Sequence, residues 1–256
     1  MKKIEILVRS TLFNIAFFTV TPLMALCALP TVWMKRERAM FIVHAWVRVV
    51  YALERLFLNL DYEVRGWENV PQGKAFLLAA KHQSAYETMK LHMLFGDPAI
   101  VLKRELLKIP LWGLFLAKID PVAIDRGNRD QAMKSLLEGV RHVKTQARPI
   151  VIFPQGTRVL PDATPAQKPY KSGIGRMYEA SALPIVPLAL NTGIFWPRNS
   201  LLKRPGKIVF EFLPVIESGQ DVGEVMKNLQ DSLETASEAL TAEARARFPY
   251  LPRKRS

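Results

Sequence analysis

The chain has 256 residues, 49% of them hydrophobic, and 36 Lys and Arg against 23 Asp and Glu give it a formal net charge of +13. That length suits one catalytic-sized domain with at most a small appendage, and so basic a balance points to an acidic partner: anionic lipid, nucleic acid or a phosphorylated substrate. A single cysteine, Cys27, excludes an internal disulfide framework and a thiolate cluster, and His44, His82, His92 and His142 lack an H-E-x-x-H spacing, so neither a metal site nor a cofactor is expected.

From Thr11 to Met34 no side chain is charged. As one helix this run would reach roughly 36 Å, enough for a bilayer core. Lys2, Lys3 and Arg9 give it a basic start, but it is longer than a signal core and no small-x-small cleavage site stands out, so it is expected to be retained. Its far end is basic too, Lys35, Arg36 and Arg38 outweighing Glu37. The positive-inside bias therefore favours neither orientation of a single span and suits a segment that enters and leaves by one cytoplasmic face. Pro22 predicts a kink or turn near the middle. The expectation is two helices half-embedded in one leaflet of a bacterial inner membrane, with a single span as the alternative. Beyond it, Phe41, Ala45, Val49, Ala52 and Leu53 fall at helical spacing. They predict an amphipathic helix packed on the domain, on the membrane, or on both.

After Asp61 short β-type runs alternate with helical stretches. Strands are expected over 62–65, 75–80, 99–102, 122–124, 150–153, 185–190 and 208–212, and helices over 84–95, 105–117, 129–147, 169–181 and 221–246. This predicts the α/β class: a largely parallel mixed sheet of about seven strands flanked by helices, with an N-terminal membrane-associated helical segment. The division expected is residues 1–60 as membrane-associated helices and 61–256 as the α/β domain. The last helix should stop before Pro249, leaving a basic extension over 250–256 that either meets an anionic surface or merely aids solubility.

Residues able to do chemistry collect just after the strands. His82 follows one, Arg126 a second, Gln155-Gly156-Thr157-Arg158 a third and Asn191-Thr192-Gly193 a fourth. In open α/β sheets ligands bind beyond the carboxyl ends of the strands, so in parallel strands these groups would meet. His82 in a loop with Glu87 in the next helical turn makes a general base with an orienting carboxylate. Ser84-Ala85-Tyr86-Glu87 also reads as a capping box, in which Glu87 serves only a backbone donor. Gly156 allows a tight turn with close backbone approach to a ligand, and Arg158 a bidentate hold on phosphate. Lys103, Arg126 and Arg158 each stand as phosphate ligands or as solvated cations.

Together these segments resemble the glycerolipid acyltransferase family that includes 1-acylglycerol-3-phosphate acyltransferases. The family's H-x-x-x-x-D block is matched by His82 and, with a change, Glu87. Its second block resembles Lys103-Arg104-Glu105-Leu106 with Pro110 and Gly113, running on to Ile124-Asp125-Arg126. F-P-E-G-T-R is matched with one change by Phe153-Pro154-Gln155-Gly156-Thr157-Arg158, K-x-G by Lys171-Ser172-Gly173, and the fourth block by Ile185-Val186-Pro187-Leu188. The resemblance covers residues 60–215. Three departures stand out: Glu87 for aspartate, Gln155 for glutamate, and Lys81 where asparagine is frequent.

The resemblance implies fatty acyl transfer from a thioester, on coenzyme A or acyl carrier protein, to a lysophospholipid hydroxyl at a membrane surface. His82 and Glu87 would be catalytic. Lys103, Arg126, Gln155, Gly156, Thr157 and Arg158 would bind substrate, with backbone N–H groups at Gly156 near the oxyanion. The expected product is phosphatidate, with acylation of a lyso-ornithine lipid or lysophosphatidylglycerol as alternatives. From another class, a non-catalytic basic membrane-binding protein remains. A nucleic-acid partner is not expected, because no aromatic-interleaved basic platform or reading helix is present. Hydrolysis through Ser84 lacks a G-x-S-x-G elbow.

Overall fold

A computed structural model describes residues 3–110, 112–125 and 129–254, with side chains for all of these but 129 and 130. Its centre is a seven-stranded sheet: β1 (Leu60–Arg65), β2 (Leu77–Ala80), β3 (Ala99–Lys103), β4 (Val122–Ile124), β5 (Ile150–Ile152), β6 (Ile185–Leu190) and β7 (Gly206–Phe212), ordered β1-β7-β6-β2-β5-β3-β4. Every pairing is parallel except β6 with β7. All seven expected strands are present. β2 and β6 are buried along their whole length, as near-continuous apolar runs should be in a sheet covered on both faces.

Strand alternation divides the core. Leu78 and Ala80 share one cluster with Val186, Leu188 and Phe210, under α1 (Lys3–Ala28), α2 (Arg36–Leu53) and α3 (Tyr86–Phe95). Leu77 and Ala79 face the other way with Ile150 and Ile185. They are covered by α5 (Arg129–Thr145), α6 (Gly173–Ser181) and α8 (Val222–Arg247).

Three helical expectations shift. The stretch 105–117 divides into a 3₁₀ turn, Arg104–Lys108, and α4 (Trp112–Lys118). Pro110 lacks an N–H and disfavours helix at the residue before it. α6 begins at Gly173 rather than near 169, and a four-residue helix, α7 (Thr192–Phe195), was not anticipated.

The N-terminal segment also differs from expectation. α1 runs unbroken through Pro22, since the remaining ladder of a 26-residue helix outweighs the one hydrogen bond a proline removes. The chain reverses instead at the 3₁₀ turn Leu29–Trp33, where Pro30 occupies a first-turn position whose N–H has no helical partner to lose. α2 then returns against α1, with Trp46 Nε1 donating to Thr21 Oγ1 at 3.1 Å. α2 buries Ala39, Met40, Val47 and Val50, while Phe41, expected on the apolar stripe, is 68% exposed. Lys3–Trp33 is, among the described residues, the one stretch long and apolar enough to cross a membrane, and a window of 18 residues within it has a mean hydropathy of 2.0. Its exposed Leu7, Leu12, Ile15 and Phe18 suggest membrane association.

Two polar anchors fasten this hairpin to the rest of the fold, one at the loop before β7 and one at α3. Ser10 Oγ donates to the Lys203 carbonyl (2.8 Å) and accepts from its N–H (2.9 Å), while Lys203 Nζ reaches Asn14 Oδ1 at 2.7 Å. Burial pushes the Lys203 ammonium down to about 8. α2 ends in a π-type turn, Glu54–Leu58, whose buried Glu54 meets Lys90 Nζ of α3 at 2.5 Å. The Tyr51, Tyr86 and Tyr62 rings surround that ammonium at 4.4, 4.8 and 5.8 Å. Burial pushes the Glu54 carboxyl up to about 7, although Lys90 pulls it down, and burial lowers Lys90.

Candidate active site

The chain leaves β2 at Ala80, crosses Lys81 to Ala85, and enters α3 at Tyr86. Glu87, in the first turn of α3, is fully buried, and among the described residues four groups point at its carboxylate. Oε1 accepts from the backbone N–H groups of Gln83 and Ser84, both at 2.8 Å, and lies 2.7 Å from His82 Nδ1. Oε2 accepts from Thr192 Oγ1 at 2.8 Å. One oxygen of Glu87 thus meets both the backbone donors of the loop and the imidazole. Only half of a capping box forms, because Ser84 Oγ accepts from the Tyr86 N–H at 3.1 Å and not from Glu87.

An ionised carboxylate can only accept. Against Glu87 a neutral imidazole therefore carries its proton on Nδ1, which leaves the lone pair on Nε2. The ring lies flat on Phe153, with centroids 4.0 Å apart and planes 17° from parallel. Gln83 locks the same loop to the end of β6: its Nε2 donates to the Leu190 carbonyl (3.2 Å) and its Oε1 accepts from the Gly193 N–H (2.9 Å). A Cβ at Gly193 would lie 2.9 Å from the Gln83 Cβ, so that close approach needs glycine.

The turn after β5 meets His82 from the other side. Val159 N–H donates to the His82 carbonyl at 2.7 Å. Gly156 has φ +67°, the left-handed region open to glycine, and the Lys171 side chain stands 3.3 Å from where its Cβ would be. The Gly156 N–H already donates to the Phe153 carbonyl at 2.8 Å, closing the turn. The oxyanion role expected for it is therefore not open in this arrangement. The Arg158 carbonyl accepts from Arg198 Nη1. Gln155 is 3% exposed and turned inward, its Nε2 3.4 Å from the Lys168 carbonyl, and its Oε1 has no partner among the described residues.

A cavity of about 940 Å³ joins these parts, and His82, Lys103, Gly156, Thr157 and Arg158 line it. Gln155 does not line it, and Arg126 lies outside the described residues. Lys171 and Arg176 add two cations that spacing alone had not assigned to the site. Met24, Ala25 and Trp46 of the α1–α2 hairpin form part of its apolar wall. Thr192 was missed as a partner of Glu87, although Asn191-Thr192-Gly193 had been placed at a strand exit, where such a partner belongs. Among the described residues no group of three or more His, Cys, Asp and Glu side chains gathers to hold a metal ion.

A buried carboxylate thus stands behind a histidine at the carboxyl ends of parallel strands, beside a cavity whose wall carries Lys103, Arg158, Lys171 and Arg176. The family described as Acyltransferase matches residues 61–191, just over half of the 256, and the chain belongs to that family. It is 36% identical over 173 residues to a 1-acyl-sn-glycerol-3-phosphate acyltransferase of Pseudomonas aeruginosa, covering 68% of this chain and 66% of that one. It is 29% identical over 196 residues to the protein of the same description from Saccharomyces cerevisiae, covering 73% and 64%. The chain thus spans a little under two thirds of the length of both relatives. In fold it resembles the 1-acyl-sn-glycerophosphate (LPA) acyltransferase PlsC of Thermotoga maritima, with a TM-score of 0.73 at 19% identity over 93% of this chain and 98% of that one.

Proposed function

We propose that this chain transfers a fatty acyl group from a thioester, carried by coenzyme A or acyl carrier protein, to the sn-2 hydroxyl of 1-acyl-glycerol-3-phosphate, giving phosphatidate. The observation that carries the reading is His82, backed by the buried Glu87, on the wall of a cavity that is apolar on the hairpin side and cationic around Arg158. His82 Nε2 takes the hydroxyl proton as that oxygen attacks the thioester carbonyl, and Glu87 stabilises the imidazolium. The tetrahedral intermediate then collapses, the C–S bond breaks, and the departing thiolate takes the proton back from His82. General-base help of this kind contributes about 10²–10⁴-fold. Direct attack needs no enzyme nucleophile, in keeping with a sole cysteine that sits exposed in α1.

Lys103, Arg126 and Arg158 hold the acceptor's phosphate in this reading, with Lys171 on the same cavity wall as Lys103 and Arg158. Residues 1–60 rest on the cytoplasmic face of the membrane and residues 61–256 carry the chemistry, so a lysolipid enters from the bilayer past Met24 and Trp46. The names of the two curated relatives support this choice of acceptor.

The test is an acceptor panel on membranes containing the full-length protein: lysophosphatidate, lyso-ornithine lipid and lysophosphatidylglycerol, each with labelled acyl-coenzyme A and acyl carrier protein. Label is expected in phosphatidate. Transfer to another lysolipid alone moves the acceptor assignment, and transfer to none of them refutes the reading.

A further inference from the structure

The connection from Ile152 to Gly173, between β5 and α6, is far longer than the roughly 2–6 residues usual for such a link. It has no helix or strand of its own, yet it carries Gly156, Arg158 and Lys171 to the cavity. Cations aimed at a phosphate must be held to fractions of an ångström, so something has to fix this loop.

Strand alternation supplies the fixing point. Along β2 the even positions, ending in His82, face α3, while Leu77, Ala79 and then Lys81 face the α8 side. Lys81 is 2% exposed, and its ammonium bridges two partners. It donates to the Ala163 carbonyl in the loop (3.1 Å) and to Glu234 Oε2 on α8 (2.7 Å). The other oxygen of Glu234 accepts from Tyr170 OH, near the far end of the loop, at 3.0 Å. One ammonium and one carboxylate therefore fasten both arms of the loop to α8 and to the strand that presents His82. The His82–Glu87 pair draws on neither group: its ties run to α3, β6 and α7, and to the near end of the loop through the Val159 N–H on the His82 carbonyl and the ring stacked on Phe153.

We propose that Lys81 and Glu234 are positioning residues for the acceptor's phosphate. They hold the loop bearing Gly156, Arg158 and Lys171 at a fixed distance from His82. This rests on the acyl-transfer reading and deepens it: a phosphate-bearing acceptor feels the loss of the clamp, and the thioester donor and the proton transfer do not.

The experiment compares full-length wild type, Lys81→Met, Lys81→Arg and Glu234→Gln in three measurements. These are steady-state kinetics with lysophosphatidate and labelled acyl-coenzyme A, thermal melting, and trypsin cleavage at Arg158 and Lys171. Lys81→Met is expected to raise the acceptor KM about tenfold. It should leave kcat and the donor KM within about twofold and speed cleavage in the loop. Lys81→Arg, which keeps the charge and the donors, is expected to recover the acceptor KM, and Glu234→Gln to act as a weaker Lys81→Met.

An acceptor KM unmoved in Lys81→Met overturns the proposal, as does a fall of kcat in step with melting temperature, the sign of a purely structural role. If the wild type acylates no lysophospholipid, the acyl-transfer reading fails on its own. Loop cleavage identical in Lys81→Met and wild type then overturns the clamp as well, and faster cleavage in the variant upholds it.

Discussion

Two glutamates, Glu87 and Glu54, have no exposed surface, yet they meet that burial in opposite ways. Glu87 is surrounded by donors: two backbone N–H groups, a hydroxyl and an imidazole. Glu54 has Lys90 on one oxygen, and its other oxygen has no partner among the described residues. Burying a carboxylate costs several kcal/mol unless hydrogen bonds replace its water. For Glu54 that cost shows as a carboxyl pushed up to about 7. The first arrangement makes a fixed negative charge that can steady a neighbouring cation. The second makes a costly joint between the membrane hairpin and α3.

The largest test of the contrast removes what Glu87 serves. His82→Ala is expected to cut acyl transfer about 10²–10⁴-fold while the thermal melt stays close to wild type, because the Glu87 cage keeps its backbone donors. Glu87→Gln should follow at about 10²-fold or more in kcat, since a neutral amide does not stabilise the imidazolium. Glu87→Asp should fall between Glu87→Gln and wild type, as the shorter arm gives up either the ring or the backbone donors. If Glu87→Gln matched wild type in single-turnover rate, the orienting role would be lost and only the cap would remain.

On the Glu54 side the expected loss lies in stability and not in chemistry. Lys90→Met strands a buried carboxylate and should cost about 3–5 kcal/mol in denaturant unfolding. The double variant Glu54→Gln with Lys90→Met should regain much of that, because removing both charges removes both desolvation costs. The pH dependence has a definite sign. A carboxyl whose folded value lies near 7 and whose ordinary value is 4.5 binds its proton more readily in the folded state. Its contribution to stability is therefore full below about pH 4.5 and lost as pH rises to about 7. Melting temperature should fall over that window in the wild type relative to Glu54→Gln. A difference that stayed flat across it would refute the assignment.

The smallest expected effect is that of Gly156→Ala. A Cβ in the left-handed region costs about 1–2 kcal/mol and would press on Lys171. The acceptor KM should rise while the donor KM holds.

What could be read in advance divides along the same line. Leu77–Ala80 and Ile185–Leu190 announce themselves as fully buried strands, and His82 and Arg158 are visible because their residue types follow such strands. The partners of Glu54 and Lys81 could not be read, because periodicity reports which face a residue occupies and not what waits there. Lys81 meets Glu234 across 153 positions of chain. The reversal at Pro30 instead of Pro22 was hidden for a similar reason, since either proline is compatible with a turn and tertiary packing decides where the chain reverses. The antiparallel junction of β6 with β7 left no trace either, as strand direction does not show in composition.

The Ser10–Lys203 stitch has a consequence in time. Its two halves are separated by 193 positions, and β1 pairs only with β7, whose first residue, Gly206, comes just after Lys203. At about 5–20 residues per second a ribosome needs about 10–40 s to extend the chain across that interval. For most of that interval α1 has been synthesised while the loop it docks on does not yet exist. Until then α1 has α2 to pack against but lacks the loop that pins Ser10 and Asn14, so the hairpin is fastened to the catalytic domain only when the chain is nearly finished.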